Sequence, residues 1–179
     1  MSNASDRELI DSCMNGNRQA FENLLFKYEK PVYNAAYRML NSPDDARDVT
    51  QTVFLKVIEN LGSYDPQYKF FSWIYRIALN ESINFLKKER RTDALDGEPV
   101  SLASGPEETT GTDQLSDTMQ TALMTIKPEY RTVVILKHFV DCSYAEIGEI
   151  LDIPEKKVKS RLYTGRQLLK QALASRGIH

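Results

Sequence analysis

Cations, hydroxyls and an amide recur at helical spacing near the C-terminus of the chain. At about 100° per residue, one face of the helix that follows Pro154 presents a polar set: Lys156, Lys159, Ser160, Tyr163 and Gln167. The opposite face presents Val158, Leu162, Gly165 and Leu169. From Pro154 to Arg176 there are seven Lys or Arg residues and one acidic residue. These groups donate hydrogen bonds and neutralise phosphates, so they indicate non-covalent recognition of a nucleic acid.

A capping signal and a tight turn precede this helix. Ser143 and Glu146 have the spacing of a capping box, which predicts a helix that starts at Tyr144. Asp152 follows where the chain must turn, and Pro154 suits the first position of the next helix. The pattern is that of a helix-turn-helix, which inserts its second helix into the major groove of DNA. The alternative is an amphipathic surface helix with a solvated basic face, which explains the periodicity but not the capping box and the turn.

Aromatic residues are concentrated in the middle of the chain. Six occur within twelve residues: Tyr64, Tyr68, Phe70, Phe71, Trp73 and Tyr75. Lys69 and Arg76 lie among or beside them, and Arg76, Asn80 and Asn84 follow at intervals of four. Rings that stack on bases, together with cations that meet phosphates, suit single-stranded DNA, and a carboxamide can pair with a base edge. The alternatives are that Phe71, Trp73 and Tyr75 are core residues and that Asn80 is an ordinary helix-surface amide.

The formal net charge is only −2, and its distribution explains why. Residues 92–118 hold seven acidic residues and no Lys or Arg, among Gly, Pro, Ser and Thr. Such a segment buries too little apolar surface to offset the entropy of ordering it, so it is predicted to be a flexible linker. Its acidity either keeps the linker soluble or mimics nucleic acid in a basic channel of a partner.

The first half of the chain is predicted to be helical throughout. Ser42 followed by Pro43 marks a strong helix start, whereas Pro31 is expected to interrupt and restart a helix. The helix after Pro43 is expected to supply core residues: Val49, Val53, Leu55, Val57, Ile58 and Leu61. The predicted fold is therefore all-α, with two small helical domains joined by a flexible acidic linker. The boundaries are 5–91 for the first domain, 92–118 for the linker and 119–176 for the second domain, which contains the helix-turn-helix.

Several functional classes are excluded. No apolar run is long enough to insert into a membrane, and the polar N-terminus does not resemble a signal peptide. The isolated Cys13 and Cys142 fit a reducing, cytoplasmic location. His138 and Cys142 are four residues apart but lack further metal ligands, so no metal or other cofactor is expected. No phosphate loop or nucleophile elbow is present, and the nearby acids at 44, 45 and 48 are explained by a helix start, so an enzyme is not expected.

Three ordered motifs resemble those of one family. They are residues 44–56 (Asp-Asp-Ala-Arg-Asp-Val-Thr-Gln-Thr-Val-Phe-Leu-Lys), residues 71–80 (Phe-Ser-Trp-Ile-Tyr-Arg-Ile-Ala-Leu-Asn), and Pro128-Glu-Tyr-Arg131 followed by the helix-turn-helix. In this order they resemble the extracytoplasmic-function (ECF) sigma factors of bacterial RNA polymerase, over about residues 8–173. The resemblance implies a first domain for core polymerase and the −10 promoter element, and a second for the −35 element.

The resemblance also implies residue roles. Core polymerase would be bound by Asp44, Asp45, Asp48, Gln51, Phe54 and Leu55. The single-stranded −10 element would be bound by Tyr64, Lys69, Trp73, Arg76, Asn80 and Asn84, with the loop from Gly62 to Lys69 capturing a flipped base. The duplex −35 element would be bound by Lys156, Lys159, Ser160, Arg161, Tyr163 and Gln167. Two departures stand out: Thr164 occupies a position that is often basic, and Asp152 replaces the usual turn glycine.

The implied partners are bacterial core RNA polymerase, promoter DNA and an anti-sigma factor that holds the free protein, in one alternative at the membrane. The free protein is expected to be monomeric and to bind DNA weakly, because the linker tethers its two domains loosely. A stand-alone helix-turn-helix regulator is the other candidate, although no heptad repeat supplies the dimer interface that it would need.

Overall fold

The structure, a computed structural model, describes residues 5–96 and 111–177 of the 179-residue chain, with side chains described for 5–92 and 116–177. The regular elements of these ranges are all helical, as the sequence predicts. A 3₁₀ turn, Leu61–Ser63, separates α3 from the loop that precedes α4. The α-helices are α1 Asp6–Met14, α2 Arg18–Leu40, α3 Pro43–Asn60, α4 Phe70–Asp96, α5 Gly111–Met124, α6 Pro128–His138, α7 Tyr144–Leu151 and α8 Glu155–Ala174.

Helices α1 to α4 form the first domain around one apolar core. Short polar side chains start the first three helices: Ser5 caps α1, Asn17 caps α2 and Ser42 caps α3 by accepting backbone N–H bonds. Helices α2, α3 and α4 then pack against one another. Their contact faces are fully buried and include Leu24, Val32, Met39, Val53, Ile74 and Leu79. This core holds α3 and α4 side by side, so that each exposes its outer face.

Pro31 does not interrupt its helix, contrary to the sequence-based expectation. Helix α2 runs unbroken from Arg18 to Leu40 with Pro31 inside it. The proline removes one backbone donor from the helix. Burial of Tyr28, Val32 and Ala35 on either side of it holds both halves in the same core, and this packing outweighs the local cost.

Two residues predicted to lie in the core of α3 are exposed. Leu55 and Ile58 keep 60% and 54% of their surface accessible, whereas Val53 and Val57 are fully buried. The buried valines lie four residues apart on one face, and Leu55 and Ile58 fall on the other. Hydrophobicity alone suggested a core role, but the helical phase assigns these two side chains to the surface.

Helices α5 to α8 form the second domain, and its helix-turn-helix is built as predicted. Ser143 and Glu146 form a complete capping box at the start of α7. Asp152 ends α7 in the left-handed conformation, with φ 53° and ψ 50°. Helix α8 begins at Glu155, one residue later than expected, with Pro154 as its N-cap.

Two glycines are required by close approach in this domain. A Cβ on Gly148 would lie 2.8 Å from the carbonyl oxygen of Ile153 in the turn. A Cβ on Gly165 would lie 2.8 Å from Val134, which shows how closely α8 packs on α6. Both positions therefore allow α8 and the turn before it to pack closely within the domain.

Helix extends into both ends of the segment predicted as linker. Helix α4 continues to Asp96 and α5 begins at Gly111, so helical residues occupy 92–96 and 111–118. Residues 97–110, on which the prediction of a flexible acidic tether now rests, lie outside the described residues. The domain boundaries at 91 and 119 therefore stay predictions.

The two domains are in contact, contrary to the expectation of loosely tethered modules. The Gln120 amide donates to the carbonyls of Tyr37 and Arg38 at 3.1 and 3.4 Å, and the Arg38 guanidinium donates to the Gln120 oxygen at 3.1 Å. The buried Arg131 guanidinium donates to the Met39 carbonyl. Side chains of the second domain thus bond to carbonyls in the last turn of α2, of which the Tyr37 carbonyl also accepts the Asn41 N–H.

Among the residues that the structure describes, no helix is both long enough and apolar enough to cross a membrane.

Candidate nucleic-acid and protein interfaces

The outer face of α3 presents a continuous stripe, which we call the α3 stripe: Asp44, Asp48, Gln51, Leu55 and Ile58. Its members follow one another at spacings of four, three, four and three residues, so they share one side of the helix. All five are exposed. An acidic beginning that leads into two adjacent exposed apolar side chains suits a protein partner that carries cations beside an apolar groove.

The structure keeps four of the six residues predicted to bind polymerase on this stripe and places two elsewhere. Phe54 is only 7% exposed and packs in the domain core, so its side chain cannot reach a partner. Asp45 is half-buried in the first turn, where its backbone N–H bonds to the Ser42 hydroxyl. Ile58 was missed as a surface residue, although its position three residues after Leu55 could have identified it.

The exposed side of α4, with the residue just before it, presents a second stripe, the α4 stripe: Lys69, Trp73, Arg76, Asn80 and Asn84. Lys69, Arg76, Asn80 and Asn84 are exposed and Trp73 is half-buried. The structure therefore brings together five of the six residues predicted for the −10 element. The sixth, Tyr64, lies in the loop before α4, and its ring contacts the Trp73 ring of the stripe.

Aromatic rings fix the loop against the start of α4. The Tyr64 ring lies 5.6 Å from Phe70 and 5.4 Å from Trp73, measured between ring centroids. The Tyr64 hydroxyl also donates to the Tyr68 carbonyl at 2.5 Å. Phe70 is buried, so the cluster is anchored in the core while Tyr64 and Trp73 are only half-buried. Tyr75, for which the sequence left core and surface roles open, is buried, and Phe71 is half-buried against it.

Helix α8 presents the polar face that the sequence predicts. Lys156, Lys159, Ser160, Tyr163 and Gln167 are all exposed, and Tyr163 keeps 68% of its surface accessible. Val158, Leu162 and Gly165 are buried on the other side. The Lys159 ammonium lies 5.5 Å from the centre of the Tyr144 ring, which holds it beside the turn.

Arg161 does not lie with this polar group. Its side chain is 23% exposed and its guanidinium lies 3.9 Å from the Glu129 carboxylate on α6. It lines a cavity of about 530 Å³ between the domains, together with Asn80, Arg90 and Lys127. The helical phase separates Arg161 from Lys159 and Ser160, so its predicted contact with the same duplex surface is not supported by its position here.

Two titratable groups near the turn have shifted pKa values. The bond from Lys69, followed by bonds from Ser143, lowers the pKa of the Glu146 carboxyl to about 2. Burial, with help from the neighbouring Arg166 and Lys137, lowers the pKa of His138. The Arg166 guanidinium donates to His138 Nε2 at 3.1 Å. No group of three or more potential metal ligands occurs in the part of the chain that the structure describes.

Two family models match the chain, one in each helical domain. Residues 24–92 match Sigma-70 region 2, and residues 116–169 match Sigma-70 region 4. The chain thus contains the two sigma-70 helical domains that carry the stripes on α3 and α4 and the helix-turn-helix.

Similarity to curated proteins identifies the family. The chain is 34% identical to the ECF RNA polymerase sigma factor SigW of Bacillus subtilis, over 93% of this chain and 96% of the relative. It is 27% identical to the ECF RNA polymerase sigma-E factor of Escherichia coli K12, over 92% of each. The protein belongs to the ECF sigma factor family of bacterial RNA polymerase.

Solved structures share the fold. CnrH, determined in complex with the cytosolic domain of CnrY, has a TM-score of 0.75 and 22% identity, over 96% of this chain and 99% of its own. The sigma factor RpoE of Bartonella quintana, determined with the anti-sigma factor NepR, has a TM-score of 0.73 and 22% identity, over 86% of this chain and 96% of its own.

Proposed function

We propose that this protein is an alternative sigma factor that binds core RNA polymerase, recognises the −35 and −10 promoter elements and promotes DNA opening. The observation that supports this most directly is the presence in one chain of three separate recognition surfaces. These are the α3 stripe, the α4 stripe and the polar face of α8. A stand-alone regulator needs only the last of them.

The α3 stripe is proposed to dock on the polymerase. Asp44 and Asp48 would attract cationic groups, and Leu55 and Ile58 would become buried against an apolar surface. Burial of one such side chain contributes about 1.5–3 kcal/mol. The two apolar residues therefore supply most of the affinity, while the acids set orientation and association rate.

The α4 stripe and the loop before it are proposed to hold the opened −10 strand. Lys69 and Arg76 would bind phosphates, Tyr64 and Trp73 would stack on extruded bases, and Asn80 and Asn84 would read base edges. No covalent step is involved, because DNA opening is favoured by the contacts that extruded bases gain. The protein is therefore proposed to act as an initiation factor and not as an enzyme.

The polar face of α8 is proposed to anchor the protein on the −35 duplex. Lys159→Ala is expected to weaken binding to a −35 duplex and to reduce the salt dependence of binding by about one phosphate contact. Arg161→Ala serves as the comparison, because Arg161 faces Glu129 on α6. Equal losses for both variants over a series of salt concentrations would show that Arg161 also reaches DNA.

An anti-sigma factor is proposed as a further partner, acting in the cytoplasm or from the membrane. The support is that the sigma factor RpoE of Bartonella quintana, which shares this fold, was determined with the anti-sigma factor NepR.

Run-off transcription tests the function. Core polymerase with this protein is expected to give a promoter-dependent transcript on a template selected with the reconstituted holoenzyme. Core polymerase alone is the control. No transcript, together with specific binding of the isolated protein to a palindromic site, would establish a stand-alone regulator instead.

A further inference from the structure

Helix α7 of the second domain contacts the centre of the α4 stripe, whose cations remain partly accessible, and Asn80 lines the cavity between the domains. The Arg76 guanidinium donates to the carbonyl oxygen of Ile150 at 3.2 Å and to that of Glu149. These carbonyls belong to the last turn of α7, where a helix carries unpartnered acceptors and partial negative charge. Arg76 therefore contacts α7 through the same donors that it would offer to a phosphate.

A second contact joins the same two surfaces. The Lys69 ammonium lies 2.7 Å from the Glu146 carboxylate. Lys69 and Arg76 are the two cations of the α4 stripe, and both are paired with groups of α7. Each of these pairings supplies oxygen acceptors at a position proposed for a DNA phosphate.

A cavity of about 350 Å³ adjoins the Arg76 contact. Tyr64, Tyr68, Trp73 and Arg76 line it from the first domain, and Glu149 and Asp152 line it from the second. Ser72 and Glu149 each place a buried side-chain oxygen here without a hydrogen-bond partner among the described residues. Two carboxylates of the second domain thus border the loop proposed to capture a flipped base, and two side-chain oxygens beside that loop lack a partner among the described residues.

Polar groups hold this arrangement at its other end as well. Gln120 and Arg131 cap the C-terminal carbonyls of α2, and the Arg38 guanidinium lies 4.4 Å from the centre of the Phe139 ring. The buried apolar residues of the two domains also form one continuous cluster, so separation of the domains would expose apolar surface as well as exchange these polar contacts.

We propose that α7 is an internal competitor of the −10 strand: in the free protein it occupies the DNA-binding positions of Lys69 and Arg76, and the domains must separate before the strand can bind. This inference rests on the proposed function of the α4 stripe. Because binding is reduced by the fraction of molecules in the open state, the closed arrangement lowers the apparent affinity for single-stranded DNA without changing any DNA-contacting residue.

Zero-length carbodiimide coupling tests the contact in the full-length protein. The Lys69 and Glu146 groups are close enough to form an amide, and mass spectrometry would detect the cross-linked peptide pair. The Lys56–Glu81 pair within the first domain, at 2.6 Å, is the internal reference. A saturating single-stranded −10 oligonucleotide is expected to abolish the 69–146 link and leave the 56–81 link unchanged. Absence of the 69–146 link in the free protein, or an unchanged yield with the oligonucleotide, would overturn the proposal.

A charge reversal on α7 tests the competition. Glu149→Arg places a cation in the cavity beside Arg76, while the basic residue suits the last turn of a helix. It is expected to bind the −10 oligonucleotide at least about threefold more tightly than wild type, with unchanged affinity for the −35 duplex. Glu29→Arg, at an exposed position of α2, is the matched control for added charge and is expected to match wild type.

The two proposals fail separately. Equal oligonucleotide affinity for wild type and Glu149→Arg would sink the competitor role, even if both support run-off transcription. Lack of a transcript with wild-type holoenzyme would sink the sigma-factor function, whatever the cross-linking shows.

Discussion

The α3 and α4 stripes use the same helical spacing on neighbouring helices of one domain, yet they differ in charge and in accessibility. The α3 stripe begins with Asp44 and ends with exposed Leu55 and Ile58. The α4 stripe combines cations, amides and an aromatic ring, and α7 of the second domain contacts its centre. On the proposed roles, the surface for polymerase is free of contacts with the second domain among the described residues, whereas the two cations of the surface for DNA are paired with α7. The first surface would then be ready for polymerase before the second is released.

The largest effect is expected just behind the α3 stripe. Phe54→Ala removes a buried ring from the core and is expected to lower the free energy of unfolding by about 3–5 kcal/mol. Chemical denaturation monitored by circular dichroism measures this loss. Leu55→Ala, at an exposed position, is the control and is expected to leave stability nearly unchanged. Comparable losses for both variants would contradict the placement of Phe54 on the buried face of α3 and of Leu55 on its exposed face.

The next largest effect concerns binding by the α3 stripe itself. Leu55→Asp places a charge where an apolar side chain would be buried, so core polymerase affinity is expected to fall at least about tenfold. A fluorescence binding assay with core polymerase measures the change, and thermal melting confirms that the fold is intact. Glu22→Ala, on α2, supplies a surface control. Unchanged affinity for Leu55→Asp would remove the α3 stripe from the docking surface.

A smaller and more selective effect is expected on the α4 stripe. Asn80→Ala removes a group proposed to read a base edge, and the cost is expected to be about 1–3 kcal/mol in promoter opening. Permanganate footprinting of the holoenzyme measures opening, and the core-binding assay is expected to give the wild-type value. A loss of affinity for core polymerase would instead indicate that Asn80 contributes to polymerase binding, as the α3 stripe is proposed to do. The two stripes would then not differ in function.

The helices and residue spacing of both stripes could be predicted from the sequence more fully than the contacts that the stripes make with the rest of the molecule. The capping box at Ser143, the left-handed Asp152 and the spacing of Arg76, Asn80 and Asn84 are local properties, and local geometry determines them. Phe54 and Leu55 were assigned together because the resemblance names positions and does not distinguish the buried side of a helix from the exposed one. The contact between Arg76 and α7 joins residues 73 and 74 positions apart, so no local pattern could reveal it.

The smallest effect is expected on the pH dependence of stability, which tests the contact between α7 and the α4 stripe. Bonds from Lys69 and Ser143 lower the pKa of Glu146 from 4.5 to about 2. Because the pKa is lowered on folding, the ionised carboxylate stabilises the folded state above pH 4.5, and this contribution disappears as the pH falls toward 2. An exposed pair of this kind contributes up to about 1 kcal/mol. Glu146→Gln keeps the hydrogen-bonding shape of the capping box but cannot ionise.

Wild type is therefore expected to lose more stability than Glu146→Gln between pH 5 and pH 3, measured by urea denaturation at each pH. Lys69→Gln separates the two sources of the shift, because it removes the bond from the first domain and leaves the Ser143 bonds in place. It is expected to give a pH dependence between those of the other two proteins. If Lys69→Gln matches wild type at every pH, Glu146 is stabilised only by its own helix. The link between α7 and the α4 stripe would then rest on Arg76 alone.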